Sequence, residues 1–209
     1  MNVKFTARET IDLIIAFIVI SLGFSIVYAR TNVNQIIAIL PIIMIGVGSG
    51  FILHEIGHKL SAIHYGYWAE FKAWPIGLLI SILSAFIGFL IATPGAVNIY
   101  GNINNEENGI ISLCGPVVNI LLALMFLVIN SINTAMNPAT AGASLTSITC
   151  TFGFMINGYL AFFNLIPLGI LDGAKVIKWN PLIWFVTIGV SAIMAFGGML
   201  KKKKKINHH

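Results

Sequence analysis

The apolar stretch from Gln35 to His64 carries three ionisable side chains near its middle, His54, Glu55 and His58, in the order His-Glu-Ile-Gly-His. Ionisable groups in an apolar helix are costly unless they are paired, bound to metal or facing water. The fold must therefore bring a partner to them. On a helix, residues four apart share one face about 6 Å apart along the axis, so both imidazoles can reach one ion. Glu55 points to the side, where it can take a proton from water without being a ligand. With five histidines in 209 residues, and as few glutamates, H-E-x-x-H arises by chance on the order of a few times per thousand such chains, so the match carries weight.

Hydrophobic residues make up 57% of the chain and charged residues 9%, with a mean hydropathy of +0.91, far from an ordinary soluble domain. The reading is an all-α polytopic membrane protein. The net charge of +5 invites a polyanion partner, but Lys201 to Lys205 supply five of the twelve basic residues, leaving seven against seven acidic ones. The rest is electroneutral, and no nucleic-acid partner is expected. Cys114 and Cys150 lie in separate apolar segments and read as packing residues rather than a thiolate metal site or a disulfide.

A membrane span needs roughly 20 apolar residues. The candidates are Ile11 to Ala29, Gln35 to His64, Ile110 to Ile132, Ser147 to about Lys178, and Pro181 to Met199, with a shorter stretch from Ile76 to Ala92. About five to six transmembrane segments are expected, in a single domain over residues 1–209 with a core at 50–181 and a basic tail at 201–209, whose end from Ile206 to His209 carries no functional expectation. The first segment, preceded by Lys4 and Arg8, has no convincing cleavage site and reads as a retained span. Tyr65, Tyr67, Trp68 and Trp74 after the second span, and Trp179 and Trp184 after the fourth, mark an interfacial belt. Lys59, Lys72, Lys175 and Lys178 lie beside them, which places the carboxyl ends of both segments on the cytoplasmic side of a cell membrane.

Two imidazoles do not complete a catalytic zinc site, which takes three protein ligands and keeps a fourth position open. The chain has two aspartates. Asp12 begins the first span, whereas Asp172 lies toward the cytoplasmic end of the fourth, so depth favours Asp172. His64 competes, because it follows His58 by the spacing of the third ligand in soluble H-E-x-x-H-x-x-G-x-x-H enzymes. Those enzymes have glycine where this chain has Ser61, and on a continuing helix His64 stands about 15 Å along the axis from His54.

His54-Glu55-Ile56-Gly57-His58 on one span, Gly115-Pro116-Val117-Val118-Asn119 on another, and Asn164 and Pro167 leading to Leu171-Asp172-Gly173 on a third together resemble the site-2 protease family of intramembrane zinc metalloproteases. The form is minimal, archaeal or bacterial, without PDZ or CBS-type domains. The resemblance covers about Gly50 to Pro181. It implies Zn²⁺ held by His54, His58 and Asp172, with Glu55 as acid and base. It further implies Asn119 and Asn164 as residues that hold substrate or steady the oxyanion, and transmembrane protein substrates met within the lipid bilayer. Gly169 loosens the proline-rich approach to the aspartate that the family shows. A cavity open to the cytoplasm must admit water, and Asn157, Asn164 and the residues around Gly169 could line it.

The stretch from Ile76 to Gly101 decides whether His58 and Asp172 end on one side. A full crossing would part them, so a re-entrant element is expected, followed by a short membrane-associated strand near residues 94–100. An exposed strand edge can hold an unwound substrate by β-augmentation. This topology puts Lys201 to Lys205 on the outer side, against the positive-inside tendency. Two other readings stay open: a prenyl-processing type of protease using Glu106 or Glu107 as third ligand, and a metal-binding permease that performs no hydrolysis and does not need Glu55.

Overall fold

The computed structural model describes residues 3–140 and 142–206. Residues 207–209 and the lysine side chains of the expected basic tail lie outside the described residues. The order of elements is α1 (Ala7–Ala29), α2 (Val33–Val47), α3 (Leu53–His64), β1 (Trp68–Ala73), α4 (Pro75–Phe86), β2 (Gly95–Tyr100), α5 (Asn105–Met136), α6 (Leu145–Asn164), α7 (Asp172–Trp179) and α8 (Pro181–Ile206). A π-helical segment, Gly48–Ile52, joins α2 to α3, so that Val33–His64 is one continuous helical run. Among the described residues four helices are long and apolar enough to cross a membrane: α1, the combined α2–α3, α5 and α6. α8 adds a further apolar helical stretch, of which Pro181–Gly197 is described. This is the helical polytopic architecture that the sequence predicts.

Two segment boundaries differ from expectation. The fourth stretch is not one helix to Lys178, because α6 stops at Asn164 and α7 starts afresh at Asp172. Pro167 lacks an N–H and Gly169 adopts a positive φ of 51°, so the chain between them turns instead of continuing. The span expected from Ile110 also starts earlier, since α5 begins at Asn105. Asn104 caps the helix through Glu107 N at 2.9 Å, and the Glu107 carboxylate reaches back to Asn104 N at 3.4 Å.

The expected strand near 94–100 is present as β2, but its partner comes from residues read only as an interfacial belt. Trp68–Ala73 forms β1, antiparallel to β2 with Trp68 opposite Tyr100 and Ala73 opposite Gly95. Since the two strands flank α4 and pair with each other, the segment between them leaves and returns on one side, as a re-entrant element does. Its return is fixed by hydroxyls. Ser81 Oγ donates to Ile91 O (2.7 Å), Ser84 Oγ accepts from Ile91 N (2.9 Å), and the Tyr159 hydroxyl donates to Leu90 O.

The hairpin is pinned to α1 by acids at the start of that helix. Glu9 Oε1 accepts from Phe71 N (3.0 Å), Asp12 Oδ2 accepts from Ala73 N (3.1 Å), and Glu9 Oε2 takes the ammonium of Lys59 on α3 at 2.5 Å. Glu9 and Lys59 are both buried, so each compensates a charge that could not otherwise be there. The main core fills the space between α1, α2, α6 and the hairpin with Ile20, Phe24, Ile43, Val47, Phe51, Phe71 and Ile156.

Candidate metal centre

α3 presents His54 and His58 on one face, as the four-residue spacing predicts, and α5 packs across that face. The contact is close because residue 115 is glycine. A Cβ there would stand 2.5 Å from His58 Nε2 and 2.6 Å from His54 Nε2. α7 then brings Asp172 in from the other side. Its position depends on Gly173, where a Cβ would meet Leu165 O at 2.0 Å. The same Leu165 carbonyl accepts from the Trp184 indole of α8 at 2.8 Å, which holds the turn leading into α7.

The three donors meet at a point. His54 Nε2 and His58 Nε2 are 2.9 Å apart, and Asp172 Oδ2 lies 3.3 Å from the first and 3.1 Å from the second. All three residues are buried, and they are the group among the described residues whose geometry could hold a metal ion. Four tetrahedral ligands at zinc distances of about 2.1 Å stand about 3.4 Å apart, so the observed spacing is near that of a tetrahedral face. His58 Nδ1 lies 2.8 Å from Ile111 O. A carbonyl only accepts, so the proton sits on Nδ1 and Nε2 is bare, the tautomer a metal requires. Lys175 Nζ lies 3.5 Å from Asp172 Oδ1 and leaves Oδ2 turned to the imidazoles.

A protein of Methanocaldococcus jannaschii named "Putative zinc metalloprotease MJ0611" is 41% identical to this chain over 199 residues, or 92% of this chain and 97% of that protein. The chain belongs to that zinc metalloprotease family. No family model matches the sequence, and no solved structure matches it.

The donor set suits the metal of this zinc metalloprotease family. Two imidazole nitrogens and one carboxylate oxygen leave a fourth position open, as catalytic zinc sites do. Glu55 supplies an independent sign. It is buried at the same cavity, and its Oε2 has no hydrogen-bond partner, an arrangement that is unfavourable unless a water or substrate group completes it. The cavity holds about 50 Å³, room for a few waters. His54, Glu55, His58, Asn164, Asp172 and Lys175 line it, together with Gly95, Val97 and Ile99 of β2.

Other residues named from the sequence lie elsewhere. Asn119 is fully enclosed behind His54, its Oδ1 2.6 Å from His54 Nδ1, so it faces the imidazole and not the cavity. Asn157 is likewise enclosed and does not line the cavity. His64 is exposed at the end of α3, its ring beside Tyr65. Glu107 is spent on the α5 cap and on the Tyr67 hydroxyl (2.6 Å), and Glu106 is exposed. Lys175 and the Glu9–Lys59 pair had no motif to single them out. Lys59 and Lys175 entered the sequence reading only as marks of the cytoplasmic side, and Glu9 not at all.

Proposed function

We propose that this protein is an intramembrane zinc metalloprotease of the site-2 protease type, cutting peptide bonds within or near the transmembrane helices of membrane-protein substrates. One observation carries the reading: His54, His58 and Asp172 converge beside an unpartnered Glu55 in a cavity walled by a strand, inside a bundle of apolar helices. His54, His58 and Asp172 would hold zinc, and zinc so held supplies Lewis acidity to a water and to a peptide carbonyl. Glu55 Oε2 takes the proton of the attacking water and passes it to the departing amine nitrogen. Asn164 stands on the cavity wall. One N–H of its side chain goes to Leu160 O (3.0 Å) and the other remains for the carbonyl oxygen as it gains charge.

The hairpin offers a way to present the substrate. In a helix the scissile carbonyl is tied up in an internal hydrogen bond, so the segment must be extended before attack. On β1 the N–H groups of Phe71 and Ala73 go to the Glu9 and Asp12 carboxylates, so they face away from β2. Antiparallel pairing alternates, hence Glu70 and Lys72 bond across to Asn98 and Ala96. The backbone groups of Gly95, Val97 and Ile99 are thereby turned outward, and these are residues that line the cavity. An extended substrate would add there as a third strand. Lys59, Lys72, Lys175 and Lys178 favour a cytoplasmic position for this end of a multi-pass protein in the cell membrane.

The test is Glu55→Gln in protein reconstituted with a transmembrane model substrate. Zinc content stays at the wild-type level while cleavage falls by about 10²–10⁴-fold or more. Cleavage that persists undiminished in this variant removes the reading, whereas wild-type protein that binds zinc and cleaves nothing favours the permease alternative.

A further inference from the structure

Asn119 and Asn157 are both fully buried, and their side-chain amides form a directed chain of hydrogen bonds ending on His54. Asn157 Nδ2 donates to Gly153 O at 2.8 Å, and Gly46 O stands at 3.5 Å. Both are carbonyls, which only accept, so the amide nitrogen of Asn157 must face them and its Oδ1 must face the other way. There it accepts from Asn119 Nδ2 at 3.1 Å. The second N–H of Asn119 goes to Gly50 O at 3.0 Å. Gly50 belongs to the π-helical segment, its carbonyl also accepts from Leu53 N, and a Cβ at Gly50 would stand 3.0 Å from Asn157 Oδ1. With both N–H groups of Asn119 committed, its Oδ1 is left to face His54 Nδ1 at 2.6 Å.

We propose that Asn119 and Asn157 act as a positioning relay that holds the His54 proton on Nδ1, so that Nε2 stays bare for the metal. The inference rests on the reading of His54 as a zinc ligand and goes beyond it, because it gives Asn119 a task other than substrate binding and gives Asn157 a task at all. It also explains why two amides are buried in an apolar bundle. A leucine at 119 would leave Nδ1 without an acceptor, and the imidazole could then carry its proton on Nε2, the form that does not ligate. A leucine at 157 acts only through Asn119, whose amide then keeps one of its two acceptors.

The experiment is a double-mutant cycle on zinc affinity, read by competition with a chelator in the purified full-length protein. Asn119→Leu weakens zinc by about 10–100-fold, the range of outer-shell changes at metal sites. Asn157→Leu weakens it less, and the double variant is no weaker than Asn119→Leu alone. Equal, additive losses would mean that each residue serves packing only, and wild-type affinity in Asn119→Leu would likewise overturn the relay. Should the leucine variants fail to fold, ¹⁵N chemical shifts of His54 in the metal-free wild-type protein decide: a proton on Nδ1 supports the relay and a proton on Nε2 rejects it. Wild-type protein that binds no zinc would instead sink the metal reading itself, and so is a separate outcome.

Discussion

Two parts of the chain deliver the metal-site donors by different means. His54 and His58 are set by four residues of one helix, and helical geometry alone puts both imidazoles on one face. Asp172 arrives 114 residues after His58, past a helix end, a proline, a positive-φ glycine and a fresh helix start. The first pair is local and depends on little except that the helix forms. The aspartate is a product of packing, held where it is by the contact of Gly173 with Leu165 O and by the Trp184 indole on that same carbonyl. A motif can therefore be written in five residues while the site it serves depends on the whole bundle.

Removing a donor tests the contrast most severely. Asp172→Ala and His54→Ala should each lower zinc affinity by more than the ~100-fold typical of outer-shell changes, measured by metal content after chelator challenge. If Asp172→Ala holds zinc as wild type does, the distant half of the comparison is broken. The glycines test the two routes separately. Gly115→Ala puts a methyl within 2.6 Å of both Nε2 atoms, so it should displace the imidazoles. Gly173→Ala should push α7 off Leu165 and move only the aspartate. Both should cut zinc affinity at least about 10-fold, with Gly115→Ala the worse, and histidine NMR signals should shift strongly only in Gly115→Ala.

Substrate handling comes next in size. Val97→Pro deletes an N–H that faces the cavity and leaves the β1–β2 ladder intact, since proline is tolerated on a free edge. KM should rise several-fold with zinc content unchanged, and an unaltered KM would count against strand addition. Lys59→Met strands the buried Glu9 carboxylate and should cost about 3–5 kcal/mol of stability, seen in denaturant titration, with little change in zinc affinity once folded.

The parts legible from the sequence were those with a short repeat or a charge in the wrong surroundings. The H-E-x-x-H spacing gave the imidazole pair, depth pointed to Asp172 over Asp12, and the rise of a continuing helix set His64 too far from His54. The re-entrant passage followed from requiring both on one side. The β1 strand was missed because Trp68 and Trp74 match an interfacial belt equally well, and its pairing partner is 22 to 32 residues away, beyond any local pattern. Asn119 was read as a substrate residue because a motif names a side chain without saying which way it points. Its place behind His54 depends on the π-helical segment, which no simple periodicity announces.

The acids of α1 leave the hairpin with a single vacancy. One flank of the sheet is sealed by side chains of the same molecule, so further β-structure can be recruited only from the flank that looks onto the metal-site cavity. That asymmetry leaves the hairpin one open flank, and it denies copies of the protein a second flank through which to zip into a continuous stack.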